Sequence, residues 1–266
     1  MGRMGLVIMQ NELIISAKSN ERFFNLSECF NLKNKFQVIA GPCAVENEYS
    51  LDEIARNLSS CGVRFLRAGL YKPRSSPYSF QGLHERGLRI LRDTARKYNM
   101  ITVSEVTDTR NVEKMIEYVD VLQIGARNMQ NFDLLREVGK SKVPVILKRS
   151  FSATLQELKF AAEYIACEGN RKITLCERGI RTFENSTRNT LDISCIPIVR
   201  LETKLPIIVD LSHSLGRKDI MRPVAKAVKA VGANGIMIEV HAHPEEALSD
   251  SESQLSFTEF RSLGII

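Results

Sequence analysis

The sequence predicts an α/β fold, a single (β/α)8 TIM barrel preceded by a short N-terminal extension. Three observations lead there. About eight short apolar runs alternate with longer segments of helical periodicity. The runs are nearly continuous in Val, Ile and Leu, as strands are when helices cover a parallel sheet. No Pro/Gly/Ser-rich linker divides the chain after about residue 35, and its 266 residues suit one barrel of about 250 residues.

In order, the units of the first half are "FQVIAG" with "SLDEIARNLSSCG", "VRFLRA" with "GLHERGLRILRDTARKY", "MITVSE" with "NVEKMIEY", and "VDVLQIG" with "NFDLLREVGK". The second half continues with "VPVILK" and "TLQELKFAAEYIACEG", "ITLCER" and "NTLDISCIPIVR", "LPIIVD" and "DIMRPVAKAVKAVG", and "GIMIEV" and "FTEFRSL". Residues 1–35 are read as the extension, in which "FFNLSECFNLKNKF" is expected to form a small hairpin closing the bottom of the barrel, and residues 36–266 as the barrel itself. A doubly wound open sheet is the structural alternative. The Gly-rich dinucleotide fingerprint that would support it is absent after the first strand.

Composition narrows the function. With 44% hydrophobic and 26% charged residues the chain can bury a sizeable core. Its longest apolar stretches fall far short of the roughly 20 residues of a membrane span. The opening "MGRMGLVIMQNELIIS" is interrupted by Gln10, Asn11 and Glu12 and meets no small-residue cleavage site, which points to a cytoplasmic protein. The formal charge of +6 is spread along the chain without a basic tail or an aromatic RNA-binding signature. Anionic small substrates account for that excess, with neither nucleic acid nor membrane as a partner. The six cysteines at 29, 43, 61, 167, 176 and 195 form no CxxC pair, so neither a zinc ribbon nor a disulfide framework is indicated. Cys29, Cys61, Cys167, Cys176 and Cys195 are read as reduced core thiols.

Barrel chemistry gathers where strands hand over to the following loops. Cys43 follows the first strand, after the stiff Gly41-Pro42 turn; Arg67, Lys72 and Arg74 lie at or after the second; Glu105 ends the third; Gly125, Ala126 and Arg127 follow the fourth. Lys148 ends the fifth, Arg178 the sixth, Asp210 and His213 the seventh, and Glu239 the eighth, with Asp250 in its loop. Cys43, His213, Glu239 and Asp250 make a mixed sulfur, nitrogen and oxygen set suited to one divalent ion such as Mn, Fe, Co or Zn. The Arg and Lys residues form a ring that would bind phosphate and carboxylate groups. In "LYKPRSSPYSFQG", Pro73 and Pro77 restrict the backbone while Ser75 and Ser76 offer hydroxyl donors. His241 and His243 share a strand face, but Glu239 is the better-placed ligand, and His84 is read as a surface or capping group.

Together "IAGPCAVE", "LRAGLYKPRSSPYSFQGL", "SEVTDT", "QIGARNMQNFDLL", "ILKRS", "CERGIRTFE", "VDLSHSLGRKD" and "IEVHAHPEEALSD" resemble the 3-deoxy-D-arabino-heptulosonate 7-phosphate (DAHP) synthase family, in the compact core of its beta subfamily. The resemblance spans about residues 35 to 262. Leu211, Leu215, Ser75 and the "VHAHPEE" run depart from the family's usual pattern; the four metal-ligand positions do not.

The resemblance implies a divalent metal on Cys43, His213, Glu239 and Asp250. It implies phosphoenolpyruvate held by Arg67, Lys72, Gly125, Ala126, Arg127, Lys148 and Arg178, with Glu105 nearby. Erythrose 4-phosphate would be held by Arg74, Ser75 and the Lys72-Pro73 backbone. It further implies an aldol-like condensation in which Lys72 protonates the developing alkoxide, Glu105 orients or deprotonates the attacking water and His213 shares in proton movement. A homotetramer is also implied.

Three rivals stand beside it. A class I aldolase would use Lys148 as a Schiff-base nucleophile, but leaves the Cys/His/Glu/Asp set without a purpose. 3-Deoxy-D-manno-octulosonate 8-phosphate synthase, acting on arabinose 5-phosphate, usually carries an extra residue between the loop lysine and arginine, whereas Pro73-Arg74 follows Lys72 directly here. A basic nucleic-acid-binding or scaffold protein has no use for the metal set.

Overall fold

The computed structural model describes residues 13–72, 76 and 78–265. Eight parallel strands close on themselves in chain order: β1 (Gln37–Gly41), β2 (Phe65–Arg67), β3 (Ile101–Val106), β4 (Val121–Ile124), β5 (Val145–Lys148), β6 (Ile173–Glu177), β7 (Ile207–Asp210) and β8 (Gly235–Glu239). The β1–β8 seam runs in register from Gln37 opposite Gly235 to Gly41 opposite Glu239. This is the (β/α)8 TIM barrel that the sequence predicts.

Alternation along the strands sorts side chains into two cores. Ile39, Phe65, Ile101, Val103, Val121, Ile146, Cys176, Ile208 and Met237 fill the barrel interior. Their neighbours, among them Val38, Leu66, Leu122, Leu147, Val209 and Ile238, face the helices in the larger outer core. The helical layer is amphipathic for the same purpose. On the helix Leu155–Cys167, Leu158, Ala161, Ala162 and Ile165 form the buried stripe.

Two expectations need correcting. The segment read as a hairpin contains a one-turn helix, Leu26–Cys29. Asn25 caps it by accepting the Glu28 amide, while the Glu28 carboxylate accepts the Asn25 amide. That reciprocal capping box favours a helix start over a turn between strands. Leu26, Phe30 and Leu32 pack on the interior cluster, and the Phe30 ring meets Phe65 edge-on at 5.7 Å. Phe65 begins β2, so this segment packs at the N-terminal end of the barrel.

The second correction concerns the thiols. Cys176 and Cys195 are buried, but Cys29 and Cys61 are only half-buried and Cys167 is exposed. Cys167 ends its helix outside the buried stripe, so burial of its neighbours does not carry it inward.

Among the described residues no helix is long and apolar enough to cross a membrane.

Candidate active site

Strand parity that fills the interior also builds the site. Arg67, Glu105, Lys148, Asp210 and Glu239 each lie two residues beyond an interior apolar residue: Phe65, Val103, Ile146, Ile208 and Met237. Arg178 stands in the same relation to Cys176. One strand period therefore lifts polar groups onto the top of the apolar core.

Cys43 reaches the same place through its turn. Gly41 has φ +150°, and a Cβ there would lie 2.1 Å from the Arg67 carbonyl oxygen, so only glycine lets β1 pass β2 this closely. The Cys43 thiol donates to Asp250 Oδ2 at 3.0 Å, and the ammonium of Lys72 lies 2.9 Å from Sγ. Burial, followed by the charge of Glu239, pushes the thiol up to about 12.

Donor atoms of Cys43, Glu239 and Asp250 all lie within 4.8 Å of one another. His213 Nε2 approaches Glu239 Oε1 at 3.7 Å. Its Nδ1 lies 2.8 Å from Asp210 Oδ2, while Asp210 Oδ1 accepts the His213 amide at 3.0 Å. A carboxylate behind the imidazole fixes the ring and leaves Nε2 toward the other ligands, an arrangement typical of metal-binding histidines. The described residues thus bring Cys43, Glu239 and Asp250 together and leave His213 at the edge of the group, in reach of Glu239. One thiol and two carboxylates with an imidazole beside them are donor types that suit a borderline divalent ion.

Supporting contacts hold the set. Gln254, fully buried, accepts the Cys43 amide at 2.9 Å and donates to the Ser249 carbonyl at 2.9 Å, bridging the loops of two candidate ligands. Ser253 donates to Glu239 Oε2 at 3.1 Å, and Asn189 donates to the His213 carbonyl at 2.8 Å.

Charges around the set are balanced. Burial raises the carboxyl of Glu239, but His213, Arg67 and Lys72 outweigh it and hold it below the usual range. Against burial, the Cys43 hydrogen bond and the charges of Arg188, His213 and Lys72 hold Asp250 at about 2. Asp210 is likewise held well below its usual range, His213 and Lys148 overcoming its burial.

An open cavity of about 480 Å³ covers these groups. Lys72, Glu105, Gly125, Ala126, Arg127, Lys148, Arg178, His213 and Asp250 all line it. Arg67 does not; it is buried, donating to Glu239 Oε1 at 2.7 Å and to the Pro42 carbonyl at 3.2 Å. Gly125 leaves room for the Glu105 carboxylate where it now stands, since a Cβ there would fall 2.0 Å from Glu105 Oε1. Pro73, Arg74 and Ser75 lie outside the described residues.

Sequence reasoning missed Phe151, Arg181, Arg188 and Asn189, which also line the cavity. It placed Asp210 at a strand end without a role. The signal for Asp210 was its position three residues before His213, where it both caps the helix Leu211–Leu215 and reaches the imidazole.

Comparison with known proteins identifies the family. The sequence profile of the DAHP synthetase I family matches residues 27–266. A phospho-2-dehydro-3-deoxyheptonate aldolase of Thermotoga maritima is 56% identical over 228 residues, covering 86% of this chain and 68% of that protein. A crystal structure of the Thermotoga maritima DAHP synthase superposes with a TM-score of 0.89 at 50% identity, covering 94% of this chain and 74% of that one. A 2-dehydro-3-deoxyphosphooctonate aldolase of Acidithiobacillus ferrooxidans is 30% identical over 237 residues, covering 82% of this chain and 83% of that protein. The profile spans nearly the whole barrel, so this chain belongs to the DAHP synthetase I family.

Proposed function

We propose that the barrel mouth condenses phosphoenolpyruvate with erythrose 4-phosphate and water, giving 3-deoxy-D-arabino-heptulosonate 7-phosphate and phosphate, the first step of the shikimate pathway. The observation that carries the reading is the meeting, around one cavity, of a Cys/Glu/Asp donor set and a ring of cations. A metal alone or an anion site alone would fit many reactions. Their juxtaposition suits an anionic donor beside a polarised aldehyde.

In this reading Cys43, His213, Glu239 and Asp250 hold a divalent ion, which when bound supplies Lewis-acid polarisation of the aldehyde oxygen. Arg127, Lys148 and Arg178, with the Gly125-Ala126 backbone, hold the phosphoenolpyruvate phosphate and carboxylate by charge-assisted hydrogen bonds. Arg67 stays paired to Glu239 and adds positive charge from below. Lys72, Pro73, Arg74 and Ser75 take the aldose phosphate side.

The reaction joins C3 of phosphoenolpyruvate to the aldehyde carbon, water adds at C2, and phosphate leaves by C–O cleavage. Lys72 gives its proton to the alkoxide, Glu105 orients or deprotonates the water, and His213 shares in proton movement while ligating the ion. Fixed cations around the cavity stabilise the charge that develops without reorganising.

Residues 1–35 are taken as an extension and 36–266 as the catalytic unit. A homotetramer follows the family resemblance. Cytoplasmic residence is supported by the free cysteines scattered over the described residues, which suit a reducing compartment.

Phosphoenolpyruvate consumption, measured in parallel with erythrose 4-phosphate and arabinose 5-phosphate and with and without chelator, tests the reading. Turnover is expected with the four-carbon aldose, lost to chelator and restored by divalent ion. Preference for arabinose 5-phosphate would transfer the protein to octulosonate synthesis, and chelator-resistant turnover would remove the metal from the mechanism.

A further inference from the structure

Beyond β5, in the loop leading to the helix Leu155–Cys167, stands Phe151, a partly buried phenyl in a cavity lined mostly by charged and polar residues. Its ring centre is 4.5 Å from the guanidinium carbon of Arg178, 4.9 Å from that of Arg181 and 5.6 Å from that of Arg127. The Arg181 amide donates to the Phe151 carbonyl at 2.8 Å, tying the ring's loop to the one that follows β6.

Elsewhere in the barrel, buried arginines rest on carboxylates: Arg67 on Glu239, and Arg149 on Glu177. Among the described residues no such ion pair holds Arg127, Arg178 or Arg181. Three like charges around one point repel one another. Burial lowers Arg178 from its ordinary value, with the charge of Asp210 opposing the shift and that of Arg188 adding to it. A carboxylate would hold the three together but would also occupy their donors and repel an incoming anion. The negative face of a phenyl ring attracts guanidinium groups without carrying a charge of its own. It occupies none of their N–H groups; Arg178 gives Nη1 to the Gly179 carbonyl at 3.3 Å, and its other donors stay available to phosphate oxygens.

We propose that Phe151 is the positioning residue of the phosphate-binding subsite, a neutral platform that gathers Arg127, Arg178 and a third arginine, Arg181, before the substrate arrives. The inference rests on the reading that Arg127 and Arg178 take the phosphoenolpyruvate phosphate. Phe151 touches no reacting atom in this role; it sets the spacing of the groups that do the binding.

The test compares the parent protein, Phe151→Leu and Phe151→Tyr for KM toward phosphoenolpyruvate, kcat, competitive inhibition by inorganic phosphate, and thermal unfolding. Leu fills similar space without a quadrupole, and Tyr restores the ring. Phe151→Leu should weaken both phosphoenolpyruvate and phosphate by about fivefold or more, as loss of such contacts predicts. In that variant kcat should fall less than KM rises and the unfolding temperature should stay near the parent's, while Phe151→Tyr should stay within about twofold of the parent for both anions. Parent-like binding of both anions by Phe151→Leu, or equal losses in the Leu and Tyr variants, would overturn the platform and leave the phosphate assignment standing. A parent protein that binds neither phosphoenolpyruvate nor phosphate would overturn both.

Discussion

Lys148-Arg149 and Glu177-Arg178 show how the barrel uses consecutive charged residues. Lys148 and Arg178 line the cavity, whereas Arg149 and Glu177 pair with each other at 3.0 Å outside it. Chemistry at the mouth is accordingly sensitive to single side chains. Cys43→Ser should lose bound divalent ion and activity together while keeping the fold, checked by metal analysis and circular dichroism; metal-dependent turnover at the parent rate would remove Cys43 from the ligand set. Lys72→Met should abolish turnover with metal content near the parent's, and full activity would end its assignment as proton donor. At this scale the candidate ligands and cations were legible because strand period and strand ends are written in the sequence. Asp210 carried a local signal, its place three residues before His213; Phe151 and Gln254 carried none, because their partners Arg181 and Cys43 are chosen by three-dimensional proximity of loops.

The Arg149–Glu177 pair, joined by Asp192 at 2.9 Å from Arg149, ties the loops after β5 and β6 to the approach of the helix Cys195–Glu202. Arg149→Met should leave the fully buried Glu177 without its cation and lower stability by about 3–5 kcal/mol, measured by denaturant unfolding. A change near zero would show that the neutral protein needs no charge there. At the other end of the barrel, Leu26→Ala opens a gap in the interior cluster, and a loss of about 2–5 kcal/mol is expected in the same measurement. An unaltered midpoint would mean that the helix Leu26–Cys29 rests against the barrel without sealing it. Most elements were legible from alternating apolar periods. The exception, this helix, is one turn long, too short for a helical period to emerge, and its Asn25–Glu28 capping box was the only local signal.

Across the whole molecule, the closed order of strands was legible because about eight βα units admit few other closures, whereas the cavity's detailed lining depends on loops whose course no periodicity encodes. The mouth packs opposite charges at high density, and this makes the apo protein acid-sensitive. Against burial, Asp210 and Glu239 are held below their ordinary values by neighbouring charges, and Asp250 by the Cys43 hydrogen bond and then by neighbouring charges. Depressed carboxyl values stabilise the fold above the unfolded range near about 4, and that contribution disappears as pH falls through the folded values. For Asp250 the loss extends down to about 2. Thermal unfolding of chelator-treated protein should therefore be flat near neutrality and decline below about pH 5; a midpoint constant to about pH 3 would contradict this charge balance. The uneven exposure of the thiols has a practical consequence for labelling. Cys43 is fully buried with its thiol pushed up to about 12, whereas Cys167, its thiol also raised by partial burial and by Glu163 and Glu168, stands exposed on the outer wall. A maleimide dye applied near neutral pH should attach at Cys167 first, giving an optical reporter on the barrel's flank that leaves the chemistry at its mouth untouched.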